Sequence, residues 1–206
     1  MIEENKTAFL QEGSLLIKNI ISKEMSQFLT HTLLRIHHIT QITGHKIIDK
    51  LVPQSLLIAE PNPYSDTVLE SCWPVVESCV GEELIPTYSC GRVYCNENTL
   101  PPHTDRPSCE VSLTIQLGKS HNYSWPIYVG GVKYELQEGD AVLYMGCDKI
   151  HWRDKCEGPK GYYSGQLFLH YVKAAGQYKN LGGDNRWLAE LPFVRGRNQQ
   201  MINKSG

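Results

Sequence analysis

From Leu84 to Val172 the chain is a succession of short β-forming runs broken by turn residues, and this spacing constrains the fold more than any other feature. Residues 84–89, 91–95, 110–117, 125–129, 134–136, 141–144 and 162–172 read as strands, with Gly, Pro, Asn and Asp between them. Many short strands with such punctuation predict a sandwich or a barrel. Gln137-Glu138-Gly139-Asp140 reads as a turn between two of them. The earlier part of the chain is different. Residues 13–20 read as a short strand, and Ser22 as the N-cap of a helix over 23–36, where Met25, Phe28, Leu29, Leu33 and Ile36 recur near helical spacing. A further short strand is expected within 40–48, and residues 53–65 read as extended chain or loop. Asp66 is read as the cap of a second helix over 67–80, closed by Gly81, with Pro74 kinking or restarting it. The layout is mainly β with supporting helices.

At 206 residues the chain fits one domain. Its expected parts are helical support over 1–83, a strand-rich core over 84–172 and an extension over 173–206 with a frayed polar tail. Twenty basic residues against 22 acidic ones leave a formal charge of −2, so the electrostatic footprint of a nucleic-acid binder is missing. No apolar run approaches the roughly 20 residues of a membrane span. Seven cysteines, an odd number without a CxxC pair, exclude zinc-ribbon spacing. Cys72 and Cys79, one heptad apart, read as small buried hydrophobes. With a polar, acidic N-terminus unlike a signal peptide, the free thiols lead to the expectation of a reducing, cytoplasmic compartment.

The chemistry is concentrated in three residues. His103 and Asp105 stand two apart, so on a strand both point to one side. His151 follows the run 141–144. Two imidazoles and one carboxylate are the ligand set of the facial triad that binds non-haem Fe(II) and leaves positions open. Each residue alone would read as an ordinary surface or core group. The other histidines, His31, His37, His38 and His45, form no ligand spacing, and His170 reads as structural. Trp125, Trp152 and Trp187 read as core residues.

Taken in order, Arg92-Val93-Tyr94, His103-Thr104-Asp105, the run from Arg106 to Ser112, Gly139-Asp140-Ala141-Val142-Leu143-Tyr144, His151-Trp152-Arg153 and Phe168-Leu169-His170-Tyr171-Val172 resemble the Fe(II)- and 2-oxoglutarate-dependent oxygenases. Within them the chain is most similar to the prolyl-hydroxylase-like branch, with its small bacterial and bacteriophage members. The resemblance implies a double-stranded β-helix, a jelly roll of eight core strands, with Fe(II) held by His103, Asp105 and His151, and 2-oxoglutarate and O2 as cosubstrates. Lys160, nine residues beyond His151, matches the family's basic anchor for the far carboxylate of 2-oxoglutarate, although residues 161–165 lengthen the path to the last strand. Tyr94 and Arg92 are the other candidates for holding this acid. Arg106 and Arg153, immediately beside the proposed ligands, are read as meeting a substrate carboxylate or as bracing the site through Glu110 or Asp154, and bracing is the expectation. The implied reaction is hydroxylation of a C–H bond in a prolyl residue or a free amino acid, so the partner is a small molecule or peptide. Two rivals stand beside it: a non-catalytic jelly roll that binds metal and 2-oxoglutarate as a sensor, and a metal-dependent hydrolase or isomerase on a cupin-like barrel with Glu110 as the nearest candidate base.

Overall fold

The computed structural model describes residues 2–43, 51–53, 55–59 and 61–185. Three helices and two short strands interleave first: α1 (Ile2–Glu12), β1 (Ser14–Ile17), α2 (Lys23–Thr43), β2 (Leu56–Ile58) and α3 (Pro63–Val80). Eight strands follow: β3 (Leu84–Cys95), β4 (Leu100–His103), β5 (Val111–Lys119), β6 (Ile127–Val129), β7 (Val132–Tyr134), β8 (Ala141–Met145), β9 (His151–Arg153) and β10 (Tyr163–Lys173). A larger antiparallel sheet has the order β1-β8-β5-β10-β3-β2 and a smaller one β4-β9-β6-β7. From β3 to β10 the chain passes back and forth between the sheets, except at the β6–β7 hairpin within the smaller one. These strands close the double-stranded β-helix, and β1 and β2 extend the edges of the larger sheet.

Strand β5 shows how the roll is built. It is buried along both faces. Val111, Leu113, Ile115 and Leu117 enter one apolar core with Leu33 of α2 and Leu69 and Val76 of α3. Ser112, Thr114 and Gln116 alternate to the interior of the roll, as period-two side chains must. A wall that is apolar toward its helices and polar toward its lumen encloses a site as well as a core.

Several local expectations change. Residues 2–12, too polar to mark a helix, form α1, anchored by buried Phe9. Ser22 caps α2, accepting from the Met25 amide (3.2 Å), and the helix runs to Thr43, so the strand expected from residue 40 does not begin there. The rest of that stretch, with His45, lies outside the described residues. The buried stripe of α2 is Ser26, Leu29, Thr30 and Leu33, while Met25 and Phe28 are exposed. Small residues win because the helix lies close on β5: Thr30 Oγ1 accepts from the Gly118 amide (2.6 Å), and a Cβ at Gly118 would stand 2.7 Å from that oxygen. Helix α3 starts earlier than expected, because Asn62 accepts from the Tyr64 amide (3.0 Å) and Pro63 fits the first turn. Asp66 is instead buried beneath β3, accepting from Ser89 Oγ (2.6 Å). Gly81 closes α3 in the left-handed region at φ 76°, and Pro74 sits within an unbroken helix. All seven cysteines are free, and burial pushes the Cys72 thiol up to about 12. Among the described residues no helix is long and apolar enough to cross a membrane.

Candidate metal centre

Strands β4 and β9 pair so that His103 and His151 are direct cross-strand partners, with ring centroids 4.2 Å apart. Asp105 lies just past the end of β4, so backbone contacts rather than strand alternation position it. Its amide donates to the Gly146 carbonyl (2.8 Å), and the Gly146 amide donates to the Glu110 carbonyl (2.9 Å). Asp105 Oδ1 comes 3.5 Å from His151 Nε2 and 3.9 Å from His103 Nε2. The three potential ligand atoms all lie within 4.8 Å of one another.

The surroundings select the binding form of each group. His103 Nδ1 lies 2.8 Å from the Pro101 carbonyl and His151 Nδ1 lies 3.0 Å from the Lys149 carbonyl. A carbonyl only accepts, so both Nδ1 atoms carry a proton, and each ring in its neutral form offers its Nε2 lone pair beside Asp105. Burial, with His151 alongside, pushes the His103 pKa down and favours the neutral ring. Burial pushes the Asp105 carboxyl up, but His151, His170 and Ser112 more than offset it, and the group stays below the usual carboxylate range.

Asp105 Oδ2 accepts from Ser112 Oγ (2.8 Å), and His170 Nδ1 lies 3.0 Å from the same hydroxyl. Ser112 has one proton to give. With that proton on Asp105, His170 Nδ1–H donates to Ser112, and a relay from His170 through Ser112 turns Oδ1 toward the two histidines. Burial pushes the His170 pKa down to about 4, so its ring is neutral near pH 7. Gly146 makes room for this arrangement: a Cβ there would stand 2.6 Å from Asp105 Oδ2 and 2.7 Å from Ser112 Oγ.

The donor set fits a divalent first-row metal such as Fe(II). It has two imidazoles and one hard carboxylate, each oriented by a second partner, and no thiolate. Asp105, Cys109 and His170 also cluster, but burial pushes the Cys109 pKa up and its sulfur lies 3.0 Å from the Tyr88 hydroxyl, so it remains a thiol.

A cavity of about 300 Å³ opens beside the three residues. Tyr94, Thr114, Tyr144 and Arg153 form its fully enclosed lining, and Leu57, Cys90 and Phe168 form an apolar wall. Two of the expected acid-binding residues line it. Tyr94 is buried edge-on to Trp125 (5.0 Å), and Arg92, with its guanidinium 5.3 Å from the Tyr94 ring centre, donates to Ser55 Oγ (2.8 Å). Lys160 does not line it. The turn through Gly161 at φ 81°, held by the Tyr162 amide on the Pro159 carbonyl, leaves Lys160 exposed ahead of β10.

Neither expected brace forms. Arg106 makes a two-pronged pair with Asp184 (2.6 and 2.9 Å), and Glu110 turns to the Lys173 amide (2.8 Å), away from the cavity. Arg153 donates to the Trp125 carbonyl and to Gln166 rather than to Asp154. Trp125 is buried, Trp152 stacks on Tyr128 (5.0 Å), and Trp187 lies outside the described residues. Ser112 and Gly146 went unassigned in the sequence, and alternation along residues 112–116 was the available signal for Ser112.

No protein-family model and no curated protein matches the chain. Solved structures do. A prolyl-4-hydroxylase from Pseudomonas putida superposes with a TM-score of 0.63 at 11% identity, covering 84% of this chain and 99% of that one. HygX from Streptomyces hygroscopicus, crystallised with nickel and 2-oxoglutarate, gives 0.60 at 11% identity over 84% of this chain and 87% of its own. SnoK, a non-haem α-ketoglutarate-dependent carbocyclase of nogalamycin biosynthesis, gives 0.65 at 14% identity over 92% and 90%. At these identities the likeness is one of fold, and the chain is a double-stranded β-helix protein with the architecture of prolyl-4-hydroxylase, HygX and SnoK.

Proposed function

We propose that this protein is an Fe(II)- and 2-oxoglutarate-dependent dioxygenase that hydroxylates a C–H bond of a small substrate, a prolyl residue or a free amino acid. One observation carries the reading: His103, Asp105 and His151 converge, with both Nδ1 atoms bonded to carbonyls, at the side of a cavity. Bound there, Fe(II) with 2-oxoglutarate supplies O2 activation coupled to decarboxylation of the oxo acid to succinate and CO2. The protein's share is geometry and exclusion of water. Ser112 and His170 hold the carboxylate ligand in one orientation. Arg92, Arg153 and Tyr94 give the cavity positive, hydrogen-bonding groups suited to an acid. Leu57, Cys90 and Phe168 add apolar lining that suits an aliphatic substrate. About 300 Å³, at the small end of ligand cavities, favours a cosubstrate with a small substrate over a large one. HygX binds nickel and 2-oxoglutarate on the same fold, which supports the cofactor assignment.

The test is succinate production from 2-oxoglutarate by anaerobically Fe(II)-loaded protein on admission of O2, beside His103→Ala. Turnover in the parent and silence in the variant is the expected result, and prolyl peptides and free amino acids then form the substrate panel. Metal and acid binding without turnover on any of that panel would replace the enzyme with a sensor. Failure to bind metal would end the proposal.

A further inference from the structure

The cavity contains a buried positive charge without a counter-charge. Arg153 is 2% exposed. Its guanidinium donates to the Trp125 carbonyl (2.6 Å) and Gln166 Oε1 (3.2 Å), and lies 4.9 Å from the Trp125 ring centre and 6.0 Å from that of Tyr94. All of these partners are neutral. Among the described residues no carboxylate pairs with Arg153. A guanidinium has five N–H donors in a planar fork that matches a carboxylate, and a buried charge with no opposite charge is strongly disfavoured. Such a group is retained where an anion completes it.

Position identifies that anion. Arg153 follows His151 by two residues on β9, so both side chains reach the same cavity from one face of the smaller sheet. Two residues of strand span roughly 7 Å, comparable to the length of a five-carbon diacid. The other basic groups are less suited: Arg106 is neutralised by Asp184, Lys160 is exposed outside the cavity, and Arg92 stands on β3 of the larger sheet rather than on the strand of His151. The inner face of β10 presents Gln166 to the Arg153 guanidinium and supplies no cation of its own.

We infer that Arg153 grips the far carboxylate of 2-oxoglutarate, so that the distal-histidine strand itself carries the anchor in this protein. The inference rests on the oxygenase reading of the same site. It predicts selectivity for a distal carboxylate, and calorimetry of the Ni(II)-loaded full chain measures this without turnover. The wild type is expected to bind 2-oxoglutarate at least about 100-fold more tightly than 2-oxopentanoate, which has the same chain without the second carboxylate. Arg153→Met is expected to erase that preference by weakening 2-oxoglutarate alone, and Arg153→Lys to retain part of it. Lys160→Ala is expected to leave both affinities unchanged.

Persistence of the preference in Arg153→Met, or equal weakening of both acids, would make Arg153 a structural brace and overturn the inference while the oxygenase reading stands. A wild type that does not discriminate overturns it without any variant. A metal-loaded wild type that binds neither acid sinks the oxygenase reading, and the inference with it.

Discussion

Ser112 is the sharpest test of how the metal centre is held. Its hydroxyl is fully buried, donates to Asp105 Oδ2 at 2.8 Å and accepts from His170 Nδ1 at 3.0 Å. Ser112→Ala removes both contacts and adds no bulk. A hydrogen bond to a charged group contributes about 1.5–3 kcal/mol, and loss of a ligand-orienting partner weakens metal binding roughly 10–100-fold, equivalent to about 1.4–2.7 kcal/mol. The two ranges agree, so a Kd for Co(II) raised 10–100-fold is expected in anaerobic titrations against a competing chelator. The apo protein also loses stability, because a buried carboxylate oxygen and a buried ring N–H are left unpaired. At about 1–3 kcal/mol for each orphaned group, and some 2–4 °C per kcal/mol for a chain of this size, the melting temperature should fall by roughly 5–20 °C. Thr114→Val, a hydroxyl deletion on the same face of β5 bonded to Tyr144 rather than to a ligand, serves as the control and should leave the Kd unchanged. A folded Ser112→Ala protein that binds Co(II) as tightly as the parent would refute the relay.

Other perturbations follow from the same contacts. Gly146→Ala places a methyl group against Asp105 Oδ2 and Ser112 Oγ; overpacking of this kind costs about 1–3 kcal/mol, and metal affinity measured by the same titration should fall at least about tenfold. Asp140 fixes the turn before β8, accepting from Lys18 (2.8 Å) and from the Gln137 and Asn19 amides (2.9 and 3.1 Å). Burial pushes its pKa up, but these three donors outweigh burial and the net shift is downward. A carboxylate lowered on folding stabilises fully above its unfolded pKa near 3.9 and loses that contribution as pH falls through the folded value. Asp140→Asn should therefore cost about 1–3 kcal/mol at pH 7, with the deficit shrinking in urea titrations below pH 4; a deficit independent of pH would remove the charge from the explanation. Finally, Ni(II) at 100 times its Kd should raise unfolding stability by about 2.7 kcal/mol in the parent and leave the melting temperature of His103→Ala unchanged.

The strand-rich half was legible because its signals are local. Turn residues separate the runs, and Gly139 with Asp140 marks a turn whose geometry needs φ 87°. The convergence of His103, Asp105 and His151 was legible because two imidazoles and a carboxylate have a chemistry with few other uses in that order. What the sequence hid depends on distance across the fold. Helix α2 buries Ser26 and Thr30 rather than Met25 and Phe28, because the close approach of Gly118 admits only small groups, and no pattern within the helix contains that information. Asp66 reads as a cap by type, yet Asn62 with Pro63 caps better and Asp66 is free to bond Ser89. Lys160 has the expected spacing in sequence, but the Pro159–Tyr162 turn takes up the chain that would carry it inward.

The two sheets contribute differently to the centre. His103 and His151 come from paired strands of the smaller sheet, and Asp105 from the loop that leaves it. The groups that orient Asp105, namely Ser112, His170 and the backbone of Gly146, come from the larger sheet or the loop after it, whereas the Pro101 and Lys149 carbonyls hold the histidines. The larger sheet is also the one whose outer face is cemented to α2 and α3 by the apolar core. Rigidity therefore passes from the helices through β5 and β10 to Ser112 and His170, and from these to Asp105. The enclosed, polar inner face of β5, with Ser112, Thr114 and Gln116, is the physical link in that path. A strand that only had to fill a core would carry apolar residues at these three positions, since each buried hydroxyl or amide must otherwise find a partner or cost stability. Here each finds one: Ser112 on Asp105, Thr114 on Tyr144, and Gln116 on Ser164 and Gln166, the last of which also receives Arg153. The polar interior of the roll is thus satisfied in three groups along β5, with Asp105, Ser112 and His170 at one end, Thr114 and Tyr144 between, and Gln116, Ser164, Gln166 and Arg153 at the other, so that the proposed metal and acid sites fall at its two ends.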